Sequence, residues 1–110
     1  MAERDASAGL AEQPGELSLL FERATVYVEL HRYVEANADL EQLLEIERLR
    51  REEFFEGAAL MLRAICLNNL ARPNEVLAVS ERLPRDARAW ALGRLWTPND
   101  LEAESRAQLE

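Results

Sequence analysis

Shifted by forty residues, the chain falls on itself. Arg23-Ala24 meets Arg63-Ala64, Leu30 meets Leu70, Arg32 meets Arg72, Glu35 meets Glu75, Ala36 meets Val76, Ala38 meets Ala78 and Leu43 meets Leu83. A repeat of this period describes one supersecondary unit used twice, and such a unit buries its apolar face only against its neighbour. Within the first unit, Leu19, Leu20, Arg23, Ala24, Tyr27 and Leu30 keep a spacing of three and four. That spacing marks one helix face. A turn at His31-Arg32 follows, and Tyr33, Ala36, Leu40, Leu43 and Leu44 then share the face of a second helix. Neither Gly nor Pro interrupts the run between Glu16 and Gly57.

The second unit predicts a third helix from about Glu53 to Leu70. Pro73 opens a fourth, because a proline's missing N–H costs nothing at a first helical position; Leu83-Pro84 ends it. Asp86 reads as the N-cap of a fifth helix reaching Trp96. Thr97-Pro98-Asn99-Asp100 opens a sixth, with a Thr cap, Pro at the first position and an acid three residues after the cap. No segment shows convincing strand alternation. The expected class is all-α, six helices joined by short turns in a single domain over residues 16–110. Residues 1–15 hold Gly9, Pro14 and Gly15 with few large apolar side chains, and read as a flexible acidic tail.

The spacing inside each unit resembles the tetratricopeptide repeat, with Leu20, Ala24, Tyr27, Tyr33, Ala36, Leu40 and Leu43 in the family's places. Ala24 lets the neighbouring helix approach, Tyr27 fills the space one turn on, and Ala36 gives the second helix its own close contact. The second unit matches at Leu60, Ala64, Leu67 and Val76, with Pro73 and Ser80 where aromatics are usual. Leu92-Gly93-Arg94-Leu95-Trp96 resembles the opening of a third unit. The first unit is about six residues longer than the family's, and Arg48 stands where a closing proline is usual. A generic antiparallel bundle is the alternative, since amphipathicity alone produces offset matches.

In such a solenoid the first helix of each unit lines a concave side. Transferring the family's groove positions selects Phe21, Thr25, Val28, Met61, Ile65, Asn68 and Trp90. Five of these seven are apolar; Phe21, Met61, Ile65 and Trp90 read singly as core, but their joint placement on the inner face implies a groove for an amphipathic helix laid in by its apolar face. Met61 adds an adaptable thioether, and Trp90 is the expected anchor.

Charge and composition exclude other functions. All thirteen cations are Arg, so lysine Schiff-base and phosphate-loop chemistry are absent, and a formal net charge of −8 argues against a nucleic-acid face. The acidity is confined to residues 1–56, with fourteen acids and six Arg; residues 57–110 carry seven of each. That asymmetry would steer a basic or polar partner toward one end, although a solvated helix surface explains most such charges. His31 occupies a predicted turn and Cys66 a predicted apolar helix face, so neither forms a nucleophile–base pair. With one Cys and one His no zinc set assembles, and Glu52, Glu53 and Glu56 read as exposed helix carboxylates. No catalytic residue, cofactor or metal is expected. With no apolar run of bilayer length and no signal-peptide core, a cytoplasmic protein is expected.

A narrower resemblance lies around the second unit. Glu35-Ala36-Asn37, Glu56-Gly57-Ala58-Ala59, Leu62-Arg63, Leu67-Asn68, Val76-Leu77, Trp90-Ala91-Leu92 and Arg94-Leu95 resemble the larger chaperone subunit of type III secretion needle proteins, over about residues 33–96. That family implies a concave groove holding the C-terminal helix of a needle subunit, together with a second short helical co-chaperone, and so keeping the subunit monomeric. A general repeat adaptor, or a chaperone for another secreted protein, is the competing reading.

Overall fold

The computed structural model describes residues 17–110; the tail expected at residues 1–15 lies outside them. Among the described residues the chain forms helices α1 (Leu17–Glu29), α2 (Tyr33–Arg50), α3 (Glu56–Asn69) and α4 (Pro73–Ser80). Strands β1 (Ala89–Ala91) and β2 (Arg94–Trp96) follow, and then helix α5 (Pro98–Leu109). Each of the first four helices packs on the next, α5 packs on α4 and α3, and β1 lies on α3.

The period of forty is written into the backbone. At the α1–α2 turn the amides of Leu30, His31 and Arg32 donate to the carbonyls of Val26, Val28 and Tyr27. At the α3–α4 turn those of Leu70, Ala71 and Arg72 donate to Cys66, Asn68 and Leu67, the same pattern moved by forty. Each turn places its middle residue in the left-handed region, His31 at φ 61° and Ala71 at φ 56°, closing the helix by the two crossed bonds of a Schellman motif. Beyond each turn an Arg–Glu pair spans the first turn of the next helix, Arg32–Glu35 at 2.5 Å and Arg72–Glu75 at 2.6 Å. Ala24 and Ala64, like Ala36 and Val76, are fully buried. The repeated residues are therefore those that set helix approach and turn geometry.

The extra length of the first unit lies in α2, which has 18 residues where α4 has 8. Arg51 closes α2 in the left-handed region at φ 57°. The Glu47 carboxylate, one turn back, then accepts the Phe55 N–H at 2.8 Å and so caps the start of α3. In the second unit Ser80, where an aromatic is usual, is fully buried and donates to the carboxylate of Glu102 on α5. Arg85 pairs with the same carboxylate at 2.8 Å, which locks α5 to the end of α4.

The fifth helix expected from Asp86 to Trp96 does not form. A two-stranded antiparallel hairpin replaces it, pairing Ala89 with Trp96, Trp90 with Leu95 and Ala91 with Arg94. The cause is the Leu92-Gly93 pair: φ is 55° and 78° at these residues, the two successive left-handed residues of a tight hairpin turn. What resembled the opening of a third unit is thus a reversal of the chain. The indole N–H of Trp96 donates to the Ala91 carbonyl at 2.9 Å, and the Arg94 guanidinium stands 4.0 Å from the Trp96 ring centroid. The last helix forms as expected: Thr97 Oγ1 accepts the Asp100 N–H, and Asp100 accepts the Thr97 N–H, both at 3.1 Å. The described chain is mostly helical, with five helices where six were expected. No helix among the described residues is long and apolar enough to cross a membrane.

Candidate functional site

The residues expected to line one groove separate into three environments. Val28, Met61 and Ile65 are fully buried and belong to the central core with Leu20, Leu60 and Leu101. Asn68 joins α3 to α5, donating to Glu104 at 3.3 Å and accepting from Gln108 at 3.3 Å. Phe21, Thr25 and Trp90 reach the surface. The hairpin lies against both helices that were expected to line the groove. β1 packs on α3, and the Leu92 N–H donates to Glu29 at the end of α1 at 3.1 Å. The seven positions therefore do not form one open groove.

Among the described residues, two exposed apolar surfaces include residues expected in the groove. On the hairpin, Ala91 and Trp96 face inward and are buried, whereas the cross-strand pair Trp90 and Leu95 faces outward with 73% and 48% exposure. Cross-strand partners lie side by side on one face of the ribbon, so these two side chains form one apolar plate. At the other end of α1, Phe21 stacks on Phe55 with centroids 5.4 Å apart, and Phe54 meets Phe55 edge-on at 5.0 Å. Phe54 itself is 85% exposed. Thr25 spends its hydroxyl on the Phe21 carbonyl at 2.9 Å. Leu95, Phe54 and Phe55 were missed. The adjacent aromatics at the unit junction were a usable signal, whereas the pairing of Leu95 with Trp90 follows only from the turn.

The reactive side chains are quiet. Burial in α3 pushes the Cys66 thiol up to about 12, so it is protonated at neutral pH. His31 is exposed in its turn, with its ring 5.7 Å from that of Tyr33. Desolvation raises the Tyr33 hydroxyl, with help from Cys66 and Glu29. Glu52 and Glu53 lie in the α2–α3 connection rather than on a helix, and Glu56 pairs with Arg82 at 3.5 Å. Among the described residues no group of three or more His, Cys, Asp or Glu side chains is placed to hold a metal ion. No family model, no curated protein and no solved structure matches the chain.

Proposed function

We propose that the chain is a non-catalytic, tetratricopeptide-like binding protein. It covers the apolar stripe of an amphipathic helix in its partner, and that partner is a needle-type filament subunit of type III secretion, held monomeric in the cytoplasm. The observation that carries this reading is the outward pair Trp90–Leu95. A tryptophan exposed to 73% beside an exposed leucine is a costly surface for an isolated chain, and such residues anchor interfaces. The docking surface is the outer face of the hairpin, in place of a groove lined by Val28, Met61 and Ile65. The repeated helical hairpins act as a rigid base that holds this plate in position. A filament subunit with a bare apolar stripe self-associates, and a heterologous cover blocks that contact without any catalytic group.

The test is co-expression of the chain with a short helical needle-type subunit, followed by size-exclusion chromatography. A monomeric subunit bound to the chain is expected. Trp90→Ala should weaken the complex by about thirtyfold, the equivalent of about 2 kcal/mol, while the helical circular dichroism persists. Wild-type affinity in Trp90→Ala overturns the docking surface. A variant-sensitive complex with unrelated helical peptides, but none with the needle-type subunit, favours a general adaptor instead.

A further inference from the structure

The junction of α2 and α3 encloses a cleft of about 560 Å³. Glu47 is one of the residues that line it and is only 2% exposed. One carboxylate oxygen accepts the Phe55 N–H; the other, Oε1, has no hydrogen-bond partner. Around the cleft, Glu45–Arg48 at 2.6 Å, Glu41–Arg63 at 3.3 Å and Glu56–Arg82 at 3.5 Å satisfy one another. Among the described residues this leaves Glu47, Glu52 and Glu53 against Arg51, an excess of two carboxylates at one opening.

A buried carboxylate holding one hydrogen bond is poorly compensated, and a charged donor is the group that restores the balance. The Phe55 amide, at the positive end of α3, donates to the second oxygen of the Glu47 carboxylate at 2.8 Å. The cleft is far larger than one water, and Leu44 lines it with an apolar surface. An aliphatic stem ending in a cation suits both features, since the methylenes can lie on Leu44 while the head balances the excess carboxylate of the lining, Glu47 included. The absence of a metal-ligand group among the described residues points to an organic cation rather than a metal ion.

We propose that this cleft is a recognition site for a guanidinium or primary ammonium group on an aliphatic stem, presented as a basic side chain of a peptide. Its source is distinguished by titrating the ¹⁵N-labelled full chain with three probes: a capped Gly-Arg-Gly peptide, its Gly-Gln-Gly counterpart, and agmatine. Saturable shifts of the Phe55 and Glu52 amides with the Arg peptide, absent with the Gln peptide, are expected. Glu47→Gln should weaken this response about tenfold, because the Gln carbonyl still caps Phe55 but carries no charge. Should that variant fail to fold, the exposed pair Glu52→Gln/Glu53→Gln is the second probe and should also weaken binding. Shifts that are absent in wild type, or equal in wild type and both variants, overturn the site. A response to agmatine alone overturns the peptide as source. Trp90→Ala should leave this titration unchanged, which separates it from the docking surface proposed above.

Discussion

Among the described residues three helices end on a left-handed residue, His31, Arg51 and Ala71, and none of these is glycine. An L-residue at such a position carries a steric penalty that glycine avoids, set against glycine's larger entropy in the unfolded chain. Ala71 is exposed, so its methyl group contributes little packing. Ala71→Gly should therefore stabilise the chain by about 0.5–1 kcal/mol, read as a rise in melting temperature of a few degrees. Gly57, in the first turn of α3 with open space around its missing Cβ, should respond to Ala in the same direction and by a similar amount. A lowered melting temperature in Ala71→Gly would contradict the assigned turn. These turns explain part of what was legible. The matched Leu30/Leu70 and Arg32/Arg72 bracket both turns, so the repeat located them although neither His31 nor Ala71 carries a turn signal.

Among the elements, the hairpin and α5 make opposite cases. Thr97, Pro98 and Asp100 each contribute a local start signal, and α5 begins where they place it. Residues 89–96 contain Ala, Leu, Arg and Trp, which suit a helix, and Leu92 takes a left-handed position usually given to Asn or Gly. The left-handed pair Leu92-Gly93 reverses the chain, and the cross-strand pairing with Trp96 turned inward completes the element. The two tryptophans should then separate cleanly. Trp96→Ala removes a buried ring and its hydrogen bond, and should cost about 3–5 kcal/mol in denaturant unfolding. Trp90→Ala should change that unfolding by less than about 1 kcal/mol. Equal effects would mean that the hairpin lies the other way up. The α4–α5 lock is acid-sensitive. Arg85 and then Ser80 hold the Glu102 carboxyl below its ordinary value of 4.5, and its side chain is only 15% exposed. Its contribution is complete above 4.5 and disappears as pH falls through the lowered value. Glu102→Gln should accordingly lose less stability than wild type between neutral pH and pH 3, as followed by thermal melting.

Across the whole molecule, the two units predict equivalence. Ala24 and Ala64 occupy the same place one period apart, and both are fully buried at helix crossings. Ala24→Leu and Ala64→Leu should each overpack and destabilise by about 1–3 kcal/mol. If one were neutral, the offset of forty would describe sequence alone. The docking face was the least legible part. Spacing put Val28, Met61 and Ile65 on groove-facing positions, but spacing alone does not tell an open apolar face from one buried in the core, where all three lie. The added length of α2 was visible as a misfit in the repeat. That it ends in a buried Glu47 capping α3 was not, because the capping carboxylate precedes Phe55 by eight residues rather than sitting at the helix start.

Cys66 gives this architecture a clock. The thiol sits on α3, which packs against α1, α2, α4, α5 and β1, and burial keeps it protonated. An alkylating reagent attacks thiolate, so modification must wait until the core opens and the thiol returns to its ordinary range. The rate of labelling by iodoacetamide at neutral pH therefore counts opening events of the core in a chain that needs no added probe. Agents that bind the hairpin or the acidic cleft should slow that count in proportion to the closed state they favour, whereas changes confined to the exposed rings of Trp90 and Phe54 should leave it running at the same speed.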